Sequence, residues 1–224
     1  MRVFVFGDSI ALGFGDVNGG WVQQMTSVLY KTSLHDLTQE DAEIAIESVK
    51  TTHIEVYNLS VSADTSSGVL SRLKDEVEAR QMYEQEEVIM LAVGINDATL
   101  KADNMVLMDV YQFQEIYEKI ITEAQELGAR VVCVGLTAVD EKQTTPWGHS
   151  STGKQYLNNR INLFEDTIKQ SAERLSVPFI PLHDEFLAKV EAGEDMLFDG
   201  LHPNQAGHTH VAKTVLQHLH DILV

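Results

Sequence analysis

Five short apolar runs recur along the chain without the strict polar alternation of a strand that faces water on one side. They lie at residues 3–6, 54–59, 88–93, 131–136 and 178–182. Runs of this length that are rich in valine and isoleucine are typical of strands buried on both faces of a parallel sheet. The pattern therefore predicts a sheet of buried parallel strands.

Longer amphipathic stretches separate these runs. They lie at residues 21–30, 66–80, 110–127, 155–175 and 204–223. Alternation of strand and helix favours βαβ connections, in which helices cover both faces of one sheet. We therefore expect an α/β protein, a three-layer α/β/α sandwich around a central five-stranded parallel sheet. A chain of 224 residues is within the size of one such domain, so residues 1–224 are predicted to form a single domain.

Two connections are longer than usual. Residues 32–53 are acidic and follow the first helix, so they join at the end of the sheet opposite the ligand crevice. We expect an extra helix or hairpin there that decorates the fold. Residues 137–153 follow the fourth strand and emerge at the crevice end. This loop contains Trp147, and two interpretations stay open: part of a lid or acyl pocket, or a surface excursion with one packed tryptophan.

The charge of the chain excludes several classes of partner. It has 16 Lys and Arg against 34 Asp and Glu, a formal net charge of -18. Such a chain repels polyphosphates and anionic membrane surfaces, which argues against a nucleic-acid partner. No apolar run approaches the roughly 18 residues needed to cross a bilayer, so stable membrane insertion is not expected. A small-molecule partner is favoured.

The cysteine content and the N-terminus favour a cytoplasmic setting. Gly7 interrupts the first apolar run too early for a secretory signal peptide. Cys133 is the single cysteine and lies among valines, which predicts a thiol buried in a strand. A reducing compartment fits both features.

Ser9 is a candidate nucleophile. It follows Gly7 and Asp8 at the carboxyl end of the first strand, where open α/β sheets bind ligands. Gly7 allows a sharp backbone turn at this place. The alternative is structural, because serine is also a good N-cap for a following helix.

Asp199 and His202 suit the other two roles of a serine hydrolase. A serine hydroxyl is a poor nucleophile until a base takes its proton, and a neutral imidazole held by a carboxylate is the usual base. Asp199 lies three residues before His202 and can accept the Nδ1 proton of its ring. Pro203 keeps His202 out of the helix that follows, because the residue before a proline disfavours helical geometry. The alternative is an exposed histidine beside an N-cap.

Two further segments end at the same edge of the sheet. Asn96 follows the third strand, where its amide can donate a hydrogen bond to an oxyanion. Asp97 is expected to cap the next element. The turn at residues 58–65 follows the second strand and offers a backbone N–H to the crevice, while Asp64 or Thr65 can cap the helix entered near Ser66.

Taken together, these blocks resemble the SGNH (GDSL) hydrolase superfamily, including esterases of the lysophospholipase L1 and thioesterase I type. The blocks are Gly7-Asp8-Ser9, the turn after Asn58, Gly94-Ile95-Asn96-Asp97 and Asp199-Gly200-Leu201-His202. The resemblance implies a flavodoxin-like sandwich and hydrolysis of esters or thioesters without a cofactor or metal. It also implies a triad of Ser9, His202 and Asp199, and an oxyanion hole made by the Ser9 and Ala63 backbone and the Asn96 side chain.

One position departs from the pattern of that superfamily. The second block usually supplies its oxyanion donor from a glycine, and Ala63 stands there in this sequence. The donor is a backbone N–H, so alanine can supply it provided that its φ stays negative. Loss of one such donor costs on the order of 3 kcal/mol of transition-state stabilisation. We expect less room in the pocket and an active enzyme.

Two other functions remain open beside hydrolysis. The same triad can transfer an acyl group to an alcohol, and the fold can serve as a carbohydrate-binding or nucleotide-binding module without catalysis. The joint presence of the four polar residues argues against a bare binding module, and the absence of G-x-G-x-x-G after the first strand argues against a dinucleotide site. The remaining histidines predict no metal site: His208 and His210 lie on different helix faces, and His149 is expected to be exposed.

Overall fold

The structure is a computed structural model that describes residues 1–39, 54–82 and 85–223. At its centre five strands form one parallel sheet in the order β2-β1-β3-β4-β5. The strands are β1 (Arg2–Gly7), β2 (Glu55–Asn58), β3 (Glu87–Ala92), β4 (Arg130–Val134) and β5 (Phe179–Ile180). Helices flank this sheet, and the predicted α/β fold class is confirmed.

The helices fall into two packed groups. Helix α2 packs on α8 and on α1, while α3, α4 and α6 pack side by side in that order. The helices are α1 (Ser9–Leu12), α2 (Gly20–Gln39), α3 (Ser66–Glu78), α4 (Val110–Glu126), α5 (Glu141–Thr144), α6 (Asn158–Arg174), α7 (His183–Glu191) and α8 (Gln205–Leu223). Across the three described ranges, we find no helix with the length and apolar character that a membrane span requires.

Strand β1 is the centre of the core. All six of its residues are buried, and Val3, Phe4, Val5 and Phe6 are at most 2% exposed. A strand with helices on both faces and a neighbour on each edge has no solvent side, which is why its sequence shows no polar alternation. Burying each large apolar side chain stabilises the fold by roughly 1.5–3 kcal/mol before the entropy of ordering is subtracted.

The strand order creates a crevice at the carboxyl ends of β1 and β3. From β1 the chain continues to β2 on one side of β1, and it reaches β3 on the other side. At such a switch point the connections leave in opposite directions, so the ends of the two central strands are left uncovered. Ser9 follows β1 and Asn96 follows β3, so both residues lie at this switch point.

Two predicted boundaries are wrong. Helix α2 continues to Gln39, so it absorbs the start of the segment expected to form a separate element, and residues 40–53 lie outside the described residues. Helix α6 begins at Asn158, and Gln155 instead forms an antiparallel bridge with Leu100. The two residues exchange backbone hydrogen bonds of 3.0 and 2.9 Å, which outweigh the local helical pattern.

Helix α7 was not predicted. It is short, but its sequence carries acidic residues in the first turn (Asp184 and Glu185) and Lys189 in the last turn, which complement the helix dipole. The buried carboxylate of Glu165 on α6 accepts hydrogen bonds from the backbone N–H groups of Leu182 and His183 at its N-terminus. This long-range cap explains why so short a helix begins there.

Candidate active site

Ser9 begins helix α1 directly after the sheet. The N-cap of this helix is Asp8, whose carboxylate accepts a hydrogen bond of 2.9 Å from the backbone N–H of Ile10. The alternative role of Ser9 as the N-cap is therefore wrong, and its hydroxyl is free for another partner. Gly7 is required for space rather than for a positive φ, because a Cβ there would lie 2.5 Å from Cβ of Ala11 and 2.7 Å from the carbonyl oxygen of Ala92.

His202 is the hydrogen-bond partner of Ser9. The Oγ of Ser9 lies 2.9 Å from Nε2 of His202, across most of the chain length. On the other side of the ring, Nδ1 lies 2.9 Å from Oδ2 of Asp199. The three side chains proposed from the sequence thus form one line of hydrogen bonds.

The Asp199 carboxylate determines the tautomer of His202. Its Oδ1 accepts the backbone N–H groups of Leu201 and His202, at 3.1 and 2.8 Å, which leaves Oδ2 for the ring. Burial alone raises the pKa of Asp199, but the hydrogen bonds from the His202 ring and the two backbone groups outweigh burial and lower it. A carboxylate can only accept, so Nδ1 carries the ring proton and Nε2 accepts from Ser9.

The loop that carries Asp199 and His202 is held from two sides. The N–H of Phe198 donates to the carbonyl of His202 at 2.8 Å and closes the loop on itself. The N–H of Asp140, the N-cap of α5, donates to the carbonyl of Gly200 at 2.9 Å. The 137–153 loop therefore supports the histidine loop from the outside.

Asn96 lines the same cleft as Ser9 and His202, and its amide has a defined orientation. Its Nδ2 donates to the carbonyl oxygen of Asp64 at 3.0 Å, and the hydroxyl of Tyr156 donates to its Oδ1 at 3.3 Å. Because a carbonyl oxygen can only accept, the Asp64 contact identifies the NH2 end. One N–H of that group remains for a bound molecule.

Asp97 caps an element other than the one predicted. Its carboxylate accepts the backbone N–H of Ser66 at 3.1 Å and the Ser66 hydroxyl at 2.6 Å, so it binds the start of α3 rather than the segment that follows it. Burial raises the pKa of Asp97 to about 6. Thr65 is the N-cap of α3, as predicted, and accepts from the N–H of Gly68.

Ala63 does not have the negative φ that we expected. Its φ is +62°, and it is the third residue of a turn closed by a 3.0 Å hydrogen bond from the Asp64 N–H to the Val61 carbonyl. A positive φ at this position is the geometry of a type II turn, which normally requires glycine. At this φ the alanine backbone is strained by about 1–2 kcal/mol. The rest of the fold compensates for this strain and keeps the turn beside the crevice.

Two backbone N–H groups at the crevice lack acceptors in the described part of the chain. They belong to Ser9 and Ala63, the residues expected to form an oxyanion hole together with Asn96. Backbone N–H groups without an acceptor in a protein are normally satisfied by water or by a bound molecule. All three candidate donors border one cleft.

The cleft around these groups has a volume of about 220 Å³. Its walls are partly aromatic: the ring centroid of Phe14 lies 4.5 Å from that of His202, and the centroid of Trp147 lies 5.7 Å from it. The lining residues are Ser9, Phe14, Ser62, Ala63, Asn96, Trp147, Lys154, Tyr156, Leu201 and His202. Trp147 thus lines the cleft, which favours the pocket interpretation of its loop.

Three residues that line the cleft were not predicted from the sequence. Phe14, Lys154 and Tyr156 belong to no recognisable motif, and Tyr156 stood in a segment interpreted as helix. A signal existed only for Phe14, because the several glycines that surround it suggest a functional loop near the nucleophile. Tyr156 reaches the cleft through a contact with Asn96, 60 residues away, and the carbonyl of Lys154 accepts a hydrogen bond from the backbone N–H of Trp147.

Two further titratable groups at the strands, Asp8 and Cys133, are buried. Asp8 is fully buried, and burial raises its pKa to about 7. Cys133 is buried in β4, as predicted, and burial raises its pKa to about 12. His149 is exposed, as predicted. Among the residues that the structure describes, no three His, Cys, Asp or Glu side chains are grouped as metal ligands.

Known proteins resemble this chain in sequence and in fold. The sequence matches the GDSL-like lipase/acylhydrolase family over residues 5–210. The uncharacterized protein YpmR of Bacillus subtilis (strain 168) is 23% identical over 221 residues, 94% of this chain and 78% of YpmR. A lipase/acylhydrolase structure from Enterococcus faecalis has a TM-score of 0.68 and 23% identity, covering 98% of this chain and 95% of its own. The acetyl xylan esterase AlAXEase has a TM-score of 0.70 and 20% identity, with coverage of 97% and 99%.

Proposed function

This chain belongs to the GDSL-like lipase/acylhydrolase family and is an ester-hydrolysing enzyme, and from that premise we propose that Ser9, His202 and Asp199 are its catalytic triad. The observation that carries the proposal is the line of two 2.9 Å hydrogen bonds from Ser9 Oγ through the His202 ring to Asp199. Both bonds have the length expected of a nucleophile activated by an oriented base.

In the first half of the reaction, Ser9 Oγ attacks the carbonyl carbon of the ester and its proton passes to Nε2 of His202. Asp199 stabilises the imidazolium that forms. The new oxyanion accepts hydrogen bonds from the N–H groups of Ser9 and Ala63 and from the Asn96 amide. The carbon–oxygen bond to the alcohol then breaks, and His202 returns the proton to the departing alkoxide.

In the second half, water replaces the alcohol. His202 takes a proton from the water as its oxygen attacks the acyl carbon bound to Ser9, and the same three donors hold the second oxyanion. Collapse of this intermediate releases the carboxylic acid and gives the proton back to Ser9 Oγ. No cofactor takes part in this scheme, because the serine, imidazole and water supply every proton and electron pair.

The cleft favours esters with a short acyl group. Its volume of about 220 Å³ is below the range of roughly 300–1,000 Å³ that encloses drug-sized ligands. The rings of Phe14 and Trp147 form part of its wall beside His202. We therefore place small-molecule esters with short acyl chains ahead of long-chain lipids as substrates.

The test compares wild type with Ser9→Ala on 4-nitrophenyl esters of increasing acyl length. Wild type should hydrolyse the acetate and butyrate best, and Ser9→Ala should lose at least about 10³-fold in kcat. Ser71→Ala, an exposed serine on α3, is the matched control. A serine-directed phosphonate should label wild type at Ser9 and leave Ser9→Ala unlabelled.

The same assay separates hydrolysis from acyl transfer. Added alcohols or sugars should leave the yield of free acid unchanged if water is the acceptor, whereas a transferase would form a new ester at the expense of the acid. Full activity of Ser9→Ala would contradict the proposed triad.

A further inference from the structure

His208 is a buried histidine that the proposed reaction does not use. It lies near the start of α8, with no exposed surface, and both of its ring nitrogens are hydrogen-bonded. The backbone N–H of Trp21 lies 3.3 Å from Nδ1, and the carbonyl oxygen of Phe14 lies 3.0 Å from Nε2. A backbone N–H can only donate and a carbonyl can only accept, so the ring is neutral with its proton on Nε2.

The two bonds of His208 join α8 to the carbonyl of Phe14, which follows α1, and to the N–H of Trp21 in the first turn of α2. From the end of α1 to the first residue of α2 lie four glycines with positive φ, a conformation that residues with a side chain rarely adopt. They are Gly13, Gly15, Gly19 and Gly20. Phe14 lies within this segment, and its ring is the one that contacts His202 at 4.5 Å. His208 therefore connects this wall of the cleft to the helix that follows His202.

We propose that His208 is a positioning residue: by holding the Phe14 carbonyl through its Nε2–H, it keeps the Phe14 ring against His202 and so keeps Nε2 of His202 directed at Ser9. The inference rests on the function proposed above. His208 touches no reacting atom. Its effect on catalysis passes through Phe14, whose carbonyl it binds and whose ring restricts the rotation of the His202 imidazole.

Only the neutral ring of His208 can make both bonds. A second proton would occupy Nδ1 and face the N–H of Trp21, so one hydrogen bond would be replaced by two opposed donors. Burial lowers the pKa of His208. The hydrogen bond to Phe14 and the charge of Asp16 act in the opposite direction, and His202 adds to the lowering. Among the described residues, Asp16 and His202 are the titratable groups that act on His208. The arrangement is thus favoured as pH rises and weakened as pH falls.

Two substitutions of His208 distinguish the contributions of its two hydrogen bonds. The amide nitrogen of Gln in His208→Gln reaches the position of Nε2 and can still donate to Phe14, whereas the shorter side chain of His208→Asn reaches only the position of Nδ1. We expect His208→Asn to lower kcat by about tenfold with little change in KM, and His208→Gln to keep most of the wild-type kcat. His218→Gln, which alters a histidine farther along α8, is the control.

The pH profile supplies a readout that a general loss of stability would not reproduce. In wild type, kcat should show an additional loss at acid pH that His208→Gln lacks, because protonation of His208 places two donors against each other at Trp21 and weakens the support of the Phe14 segment. Equal kcat in the two variants, or parallel acid limbs in wild type and His208→Gln, would overturn the proposal.

Nitrogen NMR of the imidazole provides a test that needs no activity. The shifts of His208 should be those of a neutral ring protonated at Nε2, and a ring protonated at Nδ1 would refute the assignment. If wild type hydrolyses no ester, the proposed function fails, while the NMR tautomer still decides whether His208 holds Phe14.

Discussion

The hydroxyl of Tyr156 lies 3.3 Å from Oδ1 of Asn96. Together with the carbonyl of Asp64, which accepts from the other end of the amide, this contact determines where the free N–H of Asn96 points. Tyr156 is 2% exposed, so its hydroxyl is shielded from water. A buried tyrosine thereby sets the direction of a proposed oxyanion donor without touching the reacting atoms.

Tyr156→Phe should weaken catalysis more than binding. Without the hydroxyl, the Asn96 amide is held at one end only, and part of the roughly 3 kcal/mol that one oxyanion donor supplies is lost. We expect kcat for a short-chain ester to fall by about tenfold with KM within about twofold of wild type. Tyr111→Phe, at a site 74% exposed, should have no effect. An unchanged kcat in Tyr156→Phe would show that Asn96 needs no support.

Ala63→Gly should stabilise the protein. Glycine removes a strain of about 1–2 kcal/mol at a φ of +62°, and its extra freedom in the unfolded chain offsets about 0.4–1 kcal/mol of that gain. The net increase in the free energy of unfolding should be about 0.5–1 kcal/mol in urea titrations. Ala63→Val should instead lower the free energy of unfolding, by more than Ala63→Gly raises it, since a β-branched side chain tolerates this φ less well than alanine does. A loss of stability in Ala63→Gly would mean that the methyl group contributes packing that outweighs strain.

Asp8→Asn should change how stability depends on pH. Burial raises the pKa of Asp8 from 3.8 to about 7, so the folded state keeps a proton that the unfolded state releases between those values. The wild-type free energy of unfolding therefore decreases across this window as pH rises, by up to about 4 kcal/mol from this group.

Asparagine does not titrate and its oxygen can still accept from Ile10, so Asp8→Asn should gain stability relative to wild type from pH 4 to pH 7.5. Urea unfolding at four or five pH values measures the difference. Asp75→Asn, an exposed site on α3, should run parallel to wild type. A constant difference between Asp8→Asn and wild type across the window would contradict the expectation.

Glu165→Gln should destabilise the fold. The two carboxylate oxygens of Glu165 accept backbone N–H groups from Leu136, Leu182 and His183, so an amide NH2 at either position would face a donor. A buried donor left without an acceptor costs about 1–3 kcal/mol. Asp166→Asn removes the same charge at the exposed neighbouring site and should change the free energy of unfolding by less than about 0.5 kcal/mol. Equal effects of the two substitutions would show that Glu165 acts through charge alone.

The sequence by itself determined the sheet and the places of its polar groups. Valine-rich runs without alternation predict buried parallel strands, because burial on both faces is a local requirement at every position of the run. Ser9 and Asn96 could be assigned to one crevice because the carboxyl ends of parallel strands share an edge. Asp199 and His202 followed from their spacing, since a carboxylate three residues away can reach the ring.

Only the tertiary structure decided what surrounds those groups. The positive φ of Ala63, the bond from Tyr156 to Asn96 and the tie from His208 to Phe14 all depend on contacts between segments far apart in sequence. Helix and strand patterns repeat every few residues and are visible locally, whereas a hydrogen bond across 60 or 194 residues leaves no periodic trace. The groups proposed to react could thus be located in the sequence, and the residues that orient them could not.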